Sequence, residues 1–301
     1  MLRSVPPARR TAGALAAALL AAAAPARAQD AVTVERPDGS RAGACESRDE
    51  GDNWWNRRRR GHACERRTLA LRPRALVRLD AGPNGGATVR GADAARAPLV
   101  VAVVTAQART DAEAARLAAQ VRLVDGPDGT LRAEGPRRDA DGEDGDRSWW
   151  SVSWRVTVPR RTDLDVRAVN GGVRVAGVVG RLRLESNNGG MRLDSVGGAV
   201  EAHTNNGGAV ATLVGRAWEG AGLADAGLDL HSNNGGATLR VPDGYSARVS
   251  VGTNNGGLAV EFPITVQGRV DPRRLELTLG AGGAPVRVTT NNGGARIGRA
   301  P

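Results

Sequence analysis

One tetrapeptide constrains this chain more than anything else in it. Asn-Asn-Gly-Gly occurs five times, always after Ser or Thr and before an apolar residue, and a shorter "VNGGV" precedes the five. The Asn before each Gly pair is Asn170, Asn188, Asn206, Asn234, Asn255 and Asn292. The first two steps are 18 residues and the later ones 28, 21 and 37, so the later repeats carry insertions. A short regular period is the mark of a stacked repeat architecture.

The columns around the corner give the secondary structure. Six residues before each Asn stand Leu164, Leu182, Val200, Leu228, Val249 and Val286. Four before it stand Val166, Leu184, Ala202, Leu230, Val251 and Val288. The residues between them are Asp165, Arg183, Glu201, Asp229, Ser250 and Arg287, all polar. This period-2 alternation predicts a strand with one buried face. A second short strand begins after the Gly pair, at Val173, Met191, Ala209, Ala237, Leu258 and Ala295. Asn-Gly also marks antiparallel hairpins. A hairpin, however, does not require the same residues every 18 positions, whereas a coil stacked on the coil before it does. The sequence therefore predicts an all-β, single-domain parallel β-solenoid over residues 161–299. Gly is expected to bend the corner through φ > 0, Asn to tolerate the left-handed region, and the corner Asn to bond from coil to coil. Ser186, Thr204, Ser232, Thr253 and Thr290 are expected to bond along the stack in the same way. Asn205 is expected to matter less than Asn206.

Upstream, "PNGGATV" around Asn84 reads as an earlier coil, with Val77 and Leu79 out of step by one residue. "TDAEAARLAAQ" opens with a capping box, Thr110 to Glu113, and predicts a short helix. In "SWWSVSWRVTVP", Trp150, Val152, Trp154, Val156 and Val158 share one face. Residues 68–160 are expected to form a β-rich part that caps the solenoid, and 29–67 a basic, disulfide-pinned lead segment.

The first 28 residues read as a secretory signal peptide: Arg3, Arg9 and Arg10, a short Ala-rich apolar run, then Ala26-Arg27-Ala28 as the cleavage site. Arg9-Arg10 alone does not make a twin-arginine signal. No later segment approaches the roughly 18 apolar residues of a spanning helix, so no transmembrane segment is expected in the mature chain. The expected location is the periplasm, cell surface or extracellular space. Four of the +10 net charges belong to the leader, and every basic side chain is Arg, with no Lys. Composition rich in Ala and Gly points to codon usage more than to polyanion binding.

Cys45 and Cys64 are the two cysteines, and an even, close pair in an exported chain predicts a disulfide. Trp54, Trp55 and Arg57, Arg58, Arg59 and Arg60 form a candidate polyanion contact, with a solvated basic loop as the plainer reading. Nucleic acid is not an expected partner of an exported chain; an envelope or extracellular glycan or protein is. "DADGEDGD" fails the calcium-loop pattern, with Asp144 and Trp150 where Gly and Glu are needed. His203 and His231 share a column and are read as surface residues. Trp218, in an insertion between coils, is read as a cover over the interior. Neither cofactor nor metal is expected, and no catalytic residue is assigned.

The entry "VPRRTDLDVRAVNGGVRVAGVVG", the spaced "NNGG" coils and "LRVPDGYSARV" resemble the bacterial putative-adhesin family of unknown function. In style they are similar to the head domain called GIN of putative autotransporter adhesins. The resemblance spans about residues 70–298. It implies a β-solenoid, an exported or envelope location and a non-enzymatic structural or adhesive role. The competing reading is a polysaccharide lyase or hydrolase, since such enzymes also use parallel β-helices.

Overall fold

The computed structural model describes residues 32–35, 61–136, 148–262 and 271–300. The alternating columns form two walls of parallel strands joined by the Asn-Gly corners. The first wall stacks Leu76–Asp80, Asp163–Ala168, Val179–Ser186, Gly197–Thr204, Gly227–Ser232, Pro285–Thr290 and Ala247–Thr253. The second wall stacks Ala87–Ala92, Val173–Ala176, Met191–Asp194, Ala209–Thr212, Ala237–Val241, Ala295–Arg299 and Leu258–Val260. The fold is thus all-β and solenoidal, with one helix among the described residues.

The register follows the repeat. Leu182 lies between Leu164 and Val200, and Leu184 between Val166 and Ala202. These side chains point between the walls and are at most 4% exposed. Burial of one aliphatic side chain is worth about 1.5–3 kcal/mol, and every coil adds several, so the interior column stabilises the stack.

The order of the coils departs from the expected one. The coil of Asn292, last in the sequence, lies between those of Asn234 and Asn255: Leu228 pairs with Val286, and Val286 with Val249. The physical reason lies at the far edge of Ala247–Thr253. There Arg274–Leu279 returns antiparallel, from Ala247 opposite Leu279 to Gly252 opposite Arg274, and occupies that edge. The inner edge remains, and the final coil fills it.

The coil at Asn84 is real, and its one-residue offset is absorbed in the corner. Val77 pairs with Leu164 and Leu79 with Val166, while Gly82 takes φ 77° to carry the extra residue. Beyond this coil the second wall continues with Trp149–Pro159, parallel to Ala87–Ala92. Leu99–Ala108, Gly61–Ala70 and Val32–Glu35 follow, each antiparallel to its neighbour. On the first wall Thr130–Glu134 and Arg122–Asp125 complete the end. Because Gly61–Ala70 is one continuous strand, the expected division at residue 67/68 falls inside a sheet.

The helix Asp111–Gln120 starts on the expected capping box: Thr110 Oγ1 accepts from the Glu113 N–H at 3.2 Å, and Glu113 accepts from the Thr110 N–H at 3.1 Å. It buries Ala114 and Ala118. At its other end, the buried Arg67 donates to the carbonyls of Ala118 (2.7 Å) and Val121, and to the carboxylate of Glu65 (2.6 Å). Arg67 therefore ties the sheet to the helix C-terminus, where a cation is favoured by the helix dipole.

Candidate functional site

The corners are built for close stacking. An added Cβ on Gly207 would lie 2.3 Å from the Gly189 carbonyl oxygen, and one on Gly189, 2.3 Å from that of Gly171. Gly235 and Gly293 repeat the contact at 2.4 and 2.3 Å. No side chain fits at this position. The expected reason for Gly was different, and it does not hold: neither Gly of these pairs, nor any described Asn, adopts positive φ. The glycines admit the neighbouring coil's backbone rather than a left-handed turn.

Two parallel amide ladders run over these corners. In one, Asn188 donates to Asn170 and Asn206 to Asn188, each at 2.8 Å. Asn234, Asn292 and Asn255 continue it at 2.9, 2.8 and 3.0 Å, in the spatial order of the coils. In the other, Asn205 donates to Asn187 at 3.0 Å, Asn233 to Asn205 and Asn291 to Asn233 at 2.8 Å, and Asn254 to Asn291 at 2.7 Å. Asn205 is a ladder member, not a side chain left to water. The hydroxyl column behaves differently from a ladder. Thr204 Oγ1 donates to the Gly189 carbonyl at 2.8 Å, Ser186 to Gly171 at 3.0 Å and Thr290 to Gly235 at 2.7 Å. These hydroxyls are buried, and each satisfies a carbonyl of the adjacent corner.

The outer faces of the two walls differ in charge. The first wall carries both signs, and many of its charges meet a partner along or across the strands. Arg183 pairs with Glu185 at 3.2 Å, Arg167 with Asp165 and Glu185 at 3.5 and 3.7 Å, and Arg287 with Asp229 at 3.4 Å. Arg181 meets Asp225 of the inserted loop at 2.6 Å. Their hydrogen bond lowers the Asp225 carboxyl below its usual range and raises Arg181. The second wall is basic. Arg192 pairs with Asp194 at 2.9 Å and Arg296 with Glu261 at 3.2 Å. Arg90, Arg155, Arg174 and Arg240 have no ion pair among the described residues.

Other sequence candidates fall as follows. The rings of His203 and His231 are 6.0 Å apart, with Glu201 on His203 Nε2 at 3.1 Å and Thr289 on His231 Nδ1 at 3.0 Å. Among the described residues no group of three or more His, Cys, Asp or Glu is placed to hold a metal ion. Trp218 is buried and donates to the Gly198 carbonyl at 2.8 Å, and the next residue, Glu219, meets Arg160 at 2.5 Å. The inserted loop is thereby fastened over the coil edge. Cys64 lies half-buried on its strand. Cys45, the segment Trp54, Trp55 and Arg57–Arg60, and the acidic loop 139–146 lie outside the described residues.

A cavity of about 220 Å³ sits at the C-terminal end, lined by Val241, Asp243, Tyr245, Phe262, Leu279 and Arg299 among others. It is smaller than the roughly 300–1,000 Å³ of small-molecule sites. Burial pushes the Tyr245 phenol up to about 12, the wrong direction for a base near neutrality. The Asp243–Arg299 pair beside it, at 3.5 Å, is largely exposed.

These features define a class: a two-walled parallel β-solenoid with Asn-Gly corners. No protein-family model matches the chain, and no curated protein matches it. Two solved structures are similar to it. One is a putative cell adhesion protein from Clostridium sporogenes ATCC 15579, at 11% identity and TM-score 0.38, over 79% of this chain and 100% of that one. The other is a putative adhesin from Bacteroides fragilis NCTC 9343, at 6% identity and TM-score 0.29, over 79% and 97%. Among the described residues no helix is long and apolar enough to cross a membrane.

Sequence reasoning missed the basic wall. Its signal was present in the positions just after the Gly pairs, where Arg174, Arg192 and Arg296 recur. What the sequence did not display was that their neighbours across the coils carry so few carboxylates.

Proposed function

We propose that the chain is a non-enzymatic, exported β-solenoid with a structural or adhesive role at the bacterial envelope. The observation that carries this reading is the corner: two amide ladders and a buried hydroxyl column hold coil on coil. They fix the outward residues of each wall in straight rows. Rigid rows of side chains lose little entropy on contact with an extended partner, which is what a surface-binding module needs. Export is supported by the leader over residues 1–28, and Cys45 and Cys64 are paired in the oxidising compartment it leads to.

The test is a pull-down of envelope material on the purified chain, beside mass analysis of the exported form. The reading expects retained envelope polymer or protein, a mature chain beginning at Gln29 and no free thiol. A chain that retains no envelope component and stays in the cytoplasm defeats it.

A further inference from the structure

The two outer faces differ in what each could hold. The first wall is largely closed to an anionic ligand, since Arg167, Arg183 and Arg287 meet carboxylates and Arg78 and Arg248 donate to backbone carbonyls. The second wall is not. Row by row across its strands, Arg155 is followed by Thr88, Arg174, Arg192, Val210, Thr238 and Arg296. The adjacent row reads Thr157, Arg90, Ala176, Asp194, Thr212, Arg240 and Gly298. Arg155, Arg90 and Arg174 thus stand on three neighbouring strands, exposed, with no ion pair among the described residues.

We propose that this face, centred on Arg90, Arg155 and Arg174, binds an acidic polysaccharide laid across the strands. The proposal rests on the adhesive reading above and names its surface and partner class. Three features select that partner. Arginine recognises carboxylates through paired N–H donors, and here no protein carboxylate competes. Strands are about 4.8 Å apart, close to the advance of one sugar in an extended chain. Arg155 and Arg174, separated by Thr88, therefore match acidic sugars alternating with neutral ones. The residues between the arginines are small or hydroxylated, so a flat chain can lie in contact and find partners for its hydroxyls. Single-stranded nucleic acid would require aromatic residues interleaved with the charges for base stacking, and those positions hold Thr88, Ala176, Val210 and Thr238 instead. A membrane surface would require a broad apolar flank to insert, and beside these rows Leu99, opposite Thr157, is the one large exposed apolar side chain among the described residues.

The experiment measures binding of the full chain to hyaluronan, with polygalacturonate, neutral dextran, duplex DNA and anionic phospholipid vesicles as comparisons. Binding to both acidic polysaccharides and not to dextran is expected, weakening steeply with salt because exposed charges are screened within about 10 Å at 0.1 M. The triple variant R90S/R155S/R174S should bind at least about 10-fold more weakly. The triple Lys variant, R90K/R155K/R174K, keeps the charge but not the paired donors, and its affinity should fall between those of wild type and the triple Ser variant. R167S/R183S on the first wall should change it less than about 2-fold. All are surface changes, and an unchanged melting temperature verifies that each variant folds. Equal binding by wild type and the triple Ser variant overturns the proposal, as does loss of binding only when Arg57–Arg60 are replaced. Preference for DNA or vesicles over polysaccharide, or no binding to any polyanion, overturns it too. The envelope pull-down separates the two readings. A triple Ser variant that still retains envelope material sinks the face and leaves adhesion standing. A wild type that binds hyaluronan but retains no envelope component does the reverse.

Discussion

At the scale of single residues, the corner shows why the same tetrapeptide recurs. The first Gly of each pair is excluded from bearing a side chain by its neighbour's carbonyl, and the second is not. An added Cβ on Gly208 would meet nothing closer than the Gly236 carbonyl oxygen at 3.5 Å, an ordinary contact. Gly207→Ala is therefore expected to cost about 3 kcal/mol or more, since the coils must part to admit the methyl. Gly208→Ala should fall within about 0.5 kcal/mol of wild type or gain slightly through lower unfolded-state entropy. Urea melts of the two variants decide it, and equal stabilities would show that close approach is not the constraint. Asn205 and Asn206 each give one amide hydrogen bond and accept another. Replacing either by Ala should cost about 1–2 kcal/mol, with similar melting temperatures for the two. A much smaller loss at Asn205 would show that the second ladder contributes nothing. The position of the corner was legible in the sequence, because repetition alone marks it. The reason for it was not, because Gly in a left-handed turn and Gly under a neighbouring backbone are written identically.

At the scale of elements, local chemistry was the most readable. The helix and its capping box could be placed from Thr110 and Glu113, because both partners lie within one turn. The alternation in Trp149–Pro159 likewise gave the buried set, from Val152 to Val158. What local pattern does not contain is the docking of the helix on the sheet, because its anchor lies 51 residues from the carbonyl it binds. Arg67 and Glu65 read as part of a charged run, yet they are 7% and 3% exposed. Arg67→Ala would leave the Glu65 carboxylate buried without this partner and uncap the helix. The expected loss is about 2–3 kcal/mol, the worth of hydrogen bonds to a charged group. Hydrogen exchange should show the amides of Asp111–Gln120 opening before those of the corner coils. If the helix amides stay as protected as in wild type, Arg67 is not the anchor.

At the scale of the whole molecule, repetition misled in one respect. Identical coils carry no label of their order, so the sequence could not say that the last would slip between two earlier ones. The arrangement has a consequence that a sequential stack would not. Were the coils in sequence order, a chain ending at Gly280 would lose only a terminal coil, and the rest would keep its partners. Here that truncation removes Pro285–Thr290 and Ala295–Arg299, which are the inner neighbours of Ala247–Thr253 and Leu258–Val260. It also removes Asn291 and Asn292, through which both ladders reach Asn254 and Asn255. The hairpin of Ala247–Thr253 with Arg274–Leu279 would then lose its ladder to the stack and keep the bond of the Ser246 N–H to the Arg216 carbonyl at 2.7 Å, and two strands alone are marginal in water. We expect the truncated chain to lose exchange protection over residues 247–260 and 274–279 while the coils of Asn170, Asn188 and Asn206 keep theirs, since each repeat depends mainly on its nearest neighbours. Full protection of residues 247–260 in a chain ending at Gly280 would mean that the coils stack in sequence order after all.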